Sequence, residues 1–600
     1  MGDKRRYIIQ GVFVMVGLIY LIKLFSIQVL DSTYKLAAED NVMRKITEYP
    51  FRGLIYDRNQ QLLVHNEPVY DLMIVPNEVK MKDTLRFCQA LGIDKVTFEV
   101  KMEEAKEYSW VRPSVFMKML SNKTFARFQD RLIDYPGFYI QSRTLRGYSH
   151  NSLANALGYI GEISKQELAK DTTEYYNQGD YIGISGVERF YERQLRGEQG
   201  VKYKMVNVRG VEKGAFKGGR YDKPSIPGNN LISTIDLSLQ EYGEKLMEGK
   251  AGAVVAIEPA TGEILSLISA PSYDPEILVG RKFGENFLQL SQDSLTPLFN
   301  RAIMSVYPPG STFKPIQALI ALEEGVIKPN ENIYCAGNLV GDHAPPGYYN
   351  VYNSIQKSSN NYYYIVFRRI INQELSENTF VDSRLGLEKW NDYLRKFGLG
   401  APVGIDIPNE KGGMIPTPEY YNQIYGENRW KWSTINSISI GQGEILISPL
   451  QMANYAAIIA NRGYYYRPHV IKSIGEDGKP LPKYREKMEV GIDTSHFAPV
   501  IEGMRMVVDG GTGFRADIEG LEVCGKTGTS QNPHGEDHSV FVAFAPRDNP
   551  KIAIAVYVQN AGQGARAAAS VAGLMIEKYL AGEIKRFWIE DYALRGEFIY

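Results

Sequence analysis

The most pronounced hydrophobic pattern in the chain comes first. Residues 7–25 read YIIQGVFVMVGLIYLIKLF, apolar except for Gln10 and Lys23, which is about the length that crosses a bilayer. Lys23 sits near the far end, where its stem reaches the interface. Lys4, Arg5 and Arg6 precede the run and orient the N-terminus toward the cytoplasm. The pattern predicts a cytoplasmic tip (1–6), a transmembrane helix (7–27) and the rest of the chain outside. A cleaved leader is the alternative, disfavoured because the run is long and no small-residue cleavage site follows closely.

Beyond the anchor, alternation takes over. Leu54-Ile55-Tyr56 and Leu62-Leu63-Val64 flank the turn residues 57–60 and predict paired strands, with residues 70–75 as a further strand. Residues 80–135 read as mostly helical. A Gly-rich, strand-like region follows, through GYIGEIS (158–164) and GISGVERFYERQLRGEQG (183–200). Pro224, Pro227 and Gly228 with Asn229-Asn230 read as a linker. Then come two apolar strands, 253–257 and 264–268, joined by the turn 259–262, and a long helix-rich middle. Strand runs from 521, over 540–545 and over 551–558 follow, and a helix over about 564–580 closes the region. Strands at both ends with helices between predict an α+β domain whose antiparallel sheet joins the two ends. The expected domains are a pedestal (28–228), a second domain (229–581) and a tail (582–600).

Composition changes little in this picture. Six hundred residues exceed what one core usually serves,. Lys+Arg (68) nearly cancel Asp+Glu (69), so no field for nucleic acid is expected. Cys88, Cys335 and Cys524 are too scattered for a disulfide framework or a CxxC site,.

The candidate chemistry lies in three places. In Tyr307-Pro308-Pro309-Gly310-Ser311-Thr312-Phe313-Lys314-Pro315, two prolines and a glycine end one segment and an apolar helical run begins the next. Ser311 falls near a helix N-terminus, and Lys314 lies three residues on, along the same face. A serine hydroxyl becomes a nucleophile when a base takes its proton, and a lysine serves if burial or a neighbouring cation lowers its pKa. Taken alone, this spacing describes a capping serine beside a solvated lysine more readily than a catalyst. Ser358-Ser359-Asn360 precedes an aromatic-rich helix. Ser358 and Asn360 meet at one site only if the backbone there leaves the helix; otherwise they cap it. Lys526-Thr527-Gly528-Thr529 continues an alternating run, where Gly528 permits close approach of a ligand. Lys526 and Thr527 suit a carboxylate, and the Thr529 N–H can join the Ser311 N–H around an oxyanion. The stretch from Gly520 to Thr527 also fits the G-x4-G-K-[ST] phosphate loop,. Its surroundings, with Gly510, Gly511 and Gly513 before and Gly528, Pro533 and Gly535 after, lack the strand–loop–helix context that such a loop needs.

Together and in this order, the three motifs resemble those of the penicillin-binding proteins. Arg52-Gly53-Leu54-Ile55-Tyr56-Asp57-Arg58-Asn59, and Gly186-Val187-Glu188 with Leu195 and Gly197, resemble the pedestal of the class B members. YPPGSTFKP and residues 537–546 resemble the branch that serves cell elongation. Gln60 stands where the pedestal signature often has Gly, and Asn360 and Thr527 stand where some elongation members have Asp and Ser.

The resemblance implies an α+β protein: a single transmembrane helix, an elongated β-rich pedestal, and a penicillin-binding transpeptidase domain with an antiparallel sheet flanked by helices. It implies D,D-transpeptidation of peptidoglycan stem peptides. Ser311 would be the acylated nucleophile and Lys314 its base, and Ser358, held by Asn360 and Lys526, would relay a proton. Thr527, Gly528 and Thr529 would bind substrate, and β-lactams would acylate Ser311. It further implies a partner, a multi-span glycosyltransferase of the RodA type reached through the span and pedestal, and a place in the bacterial cytoplasmic membrane with the catalytic domain on the periplasmic side. Alternatives within the class are a septal transpeptidase and a D,D-carboxypeptidase; a penicillin-recognising scaffold with little turnover is the alternative outside it. No cofactor is expected. Cys335, Asp342 and His343 lie in the region where some elongation members hold zinc, but their spacing follows no strong ligand pattern, and no metal is expected.

Overall fold

The structure is a computed structural model that describes residues 2–25, 43–81, 83–206, 212–475 and 479–598. Helix α1 spans Gly2–Phe25. The predicted span, 7–27, lies partly outside the described residues. Among those described, no helix is long and apolar enough to cross a membrane.

The chain divides into two compact units. One comprises Met1–Arg52, Asn66–Leu145 and Arg196–Gly228, the other Gly53–His65, Arg146–Leu195 and Asn229–Tyr600. The unit that carries the three motifs therefore includes two segments that precede residue 229.

In the first unit, strand β1 (Met43–Glu48) opens a small antiparallel sheet. Strand β2 (Leu62–Ile74), one long strand where the sequence suggested two, belongs to this unit from Asn66 onward. Helices α2 (Thr84–Leu91), α3 (Lys95–Tyr108) and α4 (Asn122–Gln129) fill the predicted helical region, with strand β3 (Ser114–Leu120) between the last two. Asp83, Asp94 and Ser121 cap the three helices through side-chain oxygens, as short polar residues do at N-termini. Strand β4 (Phe138–Tyr148) begins in this unit. The core is aromatic: Phe87 makes edge contacts with Phe98, Phe116, Phe128 and Tyr135 at centroid distances of 4.9–5.8 Å. Strands β5 (Gly200–Val206) and β6 (Glu212–Ala215) complete the sheet of β1.

The expectation of strand structure over 183–200 is corrected in part. Gly186–Phe190 and Glu192–Leu195 are short helices. The reason is tertiary. Glu188 is fully buried and pairs with buried Arg146 at 2.8 Å, which fixes a helical turn that Gly-rich composition alone argued against. The predicted linker is ordered too: the Gly228 N–H donates to Phe51 O and the Asn229 N–H to Gln194 O.

The motif-bearing unit is built on a five-stranded sheet. Strands β7 (Gly252–Ile257) and β8 (Ile264–Ala270) come from its start. Helix α5 (Lys314–Glu323) follows the first motif, and α6 (Val351–Lys357) and α7 (Asn360–Ile371) bracket the second. Helix α8 spans Pro449–Ala460. Strands β9 (Cys524–Ser530), β10 (His538–Ala545) and β11 (Ile552–Val558) come from the end. The order is β8-β7-β11-β10-β9, antiparallel throughout, so the sheet does join the two ends. Helices α9 (Ala567–Ala581) and α10 (Phe587–Arg595) follow.

The strand pattern divides between two cores. Ala253, Val255 and Ile257 face the same core as α5, α7 and α8. Val254 and Ala256 face the core of α9. In β11, Ala553, Ala555 and Tyr557 take the first side and Ile552, Ile554, Val556 and Val558 the second. Successive side chains of a strand point to opposite faces, so a sheet covered on both faces reads as an unbroken apolar run. The tail is folded: Ile589, Ala593 and Phe598 are buried in the second core.

Candidate active site

The first motif forms a 3-10 turn, Gly310–Phe313, that runs directly into α5, with Pro315 in the helix's first turn, where its missing N–H costs least. The turn is pinned on both sides. The Gly310 N–H donates to Gly441 O (2.8 Å), Thr312 Oγ1 donates to Pro309 O (2.6 Å), and Tyr455 OH reaches Thr312 Oγ1 (2.9 Å). Thr312 and Phe313 are buried, while Ser311 is half-buried and lines a cleft of about 280 Å³. Among the described residues the Ser311 hydroxyl makes no hydrogen bond.

The second motif reverses the chain. Ser358 ends α6 in the left-handed region (φ 56°, ψ 40°), and Ser359 caps α7 by accepting from the Tyr362 N–H. A non-glycine residue there carries strain of about 1–3 kcal/mol. The break brings Ser358 and Asn360, which a continuous helix would separate, onto one site.

The third motif is the edge strand β9. Gly520–Thr527 is no phosphate loop, because Lys526 and Thr527 continue the strand and no helix follows. Two glycines allow β9 to lie against the Ser311 turn: a Cβ on Gly310 (φ 57°) would sit 2.5 Å from Thr529 O, and one on Gly528 would sit 2.8 Å from Thr312 Cγ2. Gly310→Ala is therefore expected to slow acylation by about a hundredfold, the effect of a misplaced reacting group, read as the rate of covalent β-lactam labelling.

Ser358 Oγ joins the motifs. Lys314 Nζ donates to Ser358 O (2.6 Å), Ser358 Oγ (3.1 Å) and Asn360 Oδ1 (2.6 Å). Lys526 Nζ donates to Ser358 Oγ (2.9 Å) and Thr527 O (2.9 Å). A hydroxyl that accepts from both amines keeps its own proton free to donate into the cleft. Lys314 and Lys526 are both fully buried. Burial lowers Lys314 to about 7, against an opposing pull from Asp342. Burial, and then the charge of Lys314, push Lys526 well below its usual value.

Other polar residues complete the cleft. Asn360 Nδ2 donates to Gly341 O (2.6 Å), which fixes its oxygen on Lys314. Thr512 Oγ1 lies 2.7 Å from Thr527 Oγ1. Gln442 Nε2 donates to Thr529 O (2.9 Å). In an extended residue N–H and C=O point to the same edge, so the Thr529 N–H faces away from β10, on the side of Ser311. The sequence singled out neither Thr512 nor Gln442. The signals were there: both sit among turn glycines, in Gly510-Gly511-Thr512-Gly513 and Gly441-Gln442-Gly443.

Asp342 accepts from Ser359 Oγ, from the Asn361 N–H and side chain, and from the Ala344 N–H. No group of three or more ligating side chains able to hold a metal ion occurs among the described residues.

The arrangement holds an uncommitted hydroxyl, a buried amine of lowered pKa, a hydroxyl between two lysines and an open strand edge, a set chemically able to support serine acyl transfer,. Comparison with known proteins identifies matching families. Residues 252–577 match the penicillin binding protein transpeptidase domain family, and residues 47–233 the penicillin-binding protein dimerisation domain family. The peptidoglycan D,D-transpeptidase MrdA of Acinetobacter baumannii is 31% identical over 570 residues, covering 89% of this chain and 81% of that protein. The solved complex between penicillin-binding protein 2 and MreC from Helicobacter pylori matches with a TM-score of 0.73 at 25% identity, over 90% of this chain and 100% of that one. A structure described as structural coordination of polymerization and crosslinking by a peptidoglycan synthase complex matches with a TM-score of 0.70 at 25% identity, over 97% and 100%.

Proposed function

The chain belongs to the penicillin-binding protein transpeptidase family, and from that premise we propose that Ser311 is its acylated nucleophile in cross-linking peptidoglycan stem peptides during wall elongation. The protein is a serine-type peptidoglycan D,D-transpeptidase, as its curated relatives are. The observation that carries the residue assignment is Ser358 Oγ held between the two buried lysines, beneath the cleft that Ser311 lines.

In the reaction, Lys314 in its neutral form takes the Ser311 proton as Oγ adds to the carbonyl of the penultimate D-Ala. The backbone N–H groups of Ser311 and Thr529 receive the oxyanion. Thr527, oriented by Thr512, and Lys526 hold the terminal carboxylate, and the donor peptide lies along the open edge of β9 through Gly528. The C–N bond breaks, and the leaving D-Ala amine takes the Ser358 proton, which the lysines replace. An amine of a second stem peptide then attacks the ester, its proton returns by the same path, and Ser311 is regenerated. Asn360 keeps Lys314 aimed at this relay.

Residues 7–27 anchor the protein in the bacterial cytoplasmic membrane with the catalytic unit on the outer side, and 28–228 meet a glycan polymerase. Support comes from the relatives: one is solved with MreC, another belongs to a complex that couples polymerization to crosslinking. The activity is tested by giving purified protein a nascent glycan polymer with pentapeptide stems and digesting the product. Dimeric, cross-linked stems are expected. Tetrapeptide monomers alone would make it a carboxypeptidase, and unchanged stems a scaffold.

A further inference from the structure

Four hydrogen bonds converge on one carboxylate beside the second motif. Asp342 Oδ2 accepts from Ser359 Oγ (2.9 Å), the Asn361 N–H (2.8 Å) and Asn361 Nδ2 (3.1 Å), and Oδ1 accepts from the Ala344 N–H (3.0 Å). The neighbouring backbone joins in. Gly341 O holds Asn360 Nδ2, Val340 O accepts from Asn361 Nδ2, and the Leu339 N–H donates to Asn361 Oδ1. Ser358 thus leaves α6 in a left-handed conformation, and the three residues after it, Ser359, Asn360 and Asn361, are fastened to residues 339–344. The carboxylate is also half-buried, a place where charge needs partners. Burial opposes its ionisation, yet the N–H groups of Asn361, Asn360 and Ala344 hold its carboxyl below the usual range.

We propose that Asp342 is a positioning residue for acylation: it clamps the segment that follows Ser358, keeping the Ser358 hydroxyl on both lysines, and places a negative charge near buried Lys314. The inference rests on the function proposed above and adds a residue to it. The charged and polar groups around Lys314 are few. Lys526 approaches from β9, the Tyr363 ring from α7 with its centroid 5.7 Å from Nζ, Ser358 and Asn360 supply neutral oxygens, and Asp342 comes from the loop. The charge of Lys314 lowers Lys526, whereas the Asp342 carboxylate favours a proton on Lys314. Asp342 therefore keeps Lys314 basic enough to accept the serine proton while burial keeps it free to do so.

The test is the rate of β-lactam acylation between pH 5 and 9 for the parent and for Asp342→Asn, with Asp342→Glu as the charge-conserving control. In Asp342→Asn the plateau is expected to fall about tenfold, and the acid limb to move about one pH unit lower, since removing a nearby opposite charge lowers a lysine's pKa. In Asp342→Glu the plateau falls while the limb stays. A purely structural clamp would lower the plateau of both variants and leave both limbs in place, which overturns the electrostatic half. Unchanged plateaus overturn the clamp. Should Asp342→Asn fail to fold, Asp342→Ser carries the same test; if neither folds, Asp342 serves the fold and the proposal falls. A parent whose Ser311 is never acylated would remove the reading beneath the proposal, an outcome distinct from all of these.

Discussion

Ser311→Ala is expected to abolish covalent labelling by fluorescent penicillin, lowering the acylation rate by about four to six orders of magnitude. The expectation follows from the site's economy of nucleophiles. Ser358 Oγ is occupied by two lysines, Thr527 Oγ1 is paired with Thr512, and Ser359 Oγ is spent on Asp342. Among the described residues, the motif hydroxyls left uncommitted in the cleft are those of Ser311 and Thr529, and only Ser311 lies one helical turn before the buried amine of Lys314. Losing one half-buried oxygen leaves the packing of Thr312 and Phe313 intact, so the variant should unfold at the parent's temperature. Equal labelling of folded Ser311→Ala would end the assignment of the nucleophile.

The second large effect concerns Lys314. Lys314→Met should slow acylation by about two to four orders of magnitude, the usual worth of a positioned base. Lys314→Arg should be no better, because a guanidinium keeps its proton. The parent's pH dependence follows from the same group. Lys314 acts only when neutral and loses its proton at about 7. Acylation should therefore be near its plateau above pH 8 and fall about tenfold for each unit below pH 6. A lysine at its ordinary value of 10.5 would place that limb well into the alkaline range. Acylation that is flat from pH 5 to 9, or a Lys314→Met variant that retains the parent's limb, would assign the base elsewhere.

Some of this was legible because it depends on short-range order. Ser-x-x-Lys with Pro315 specifies a helix start, since proline is tolerated only in the first turn. The apolar strands at both ends of the motif-bearing region announce a sheet, and the glycine of Lys526-Thr527-Gly528-Thr529 announces a close approach. Other readings failed where tertiary contacts outweigh local preference. Gly186–Phe190 is helical because Glu188 meets Arg146, and residues 62–74 form one strand that runs on through polar residues 65–67. Gln442 and Thr512 have no motif of their own: the glycines beside each mark a turn, but nothing in the sequence says what lies opposite it.

The order of the three motifs, the strands and the helix starts are thus properties of the sequence itself, written at spacings of a few residues. Whether the motifs make a site was decided only by the fold. The contacts that create the chemistry join residues 44 and 168 positions apart, Lys314 with Ser358 and Lys526 with Ser358. A lysine's pKa answers to the water excluded around it, and that exclusion is produced by a sheet buried on both faces and the helices over it. The same four letters, Ser-Thr-Phe-Lys, on an exposed helix would hold a solvated ammonium and an inert hydroxyl.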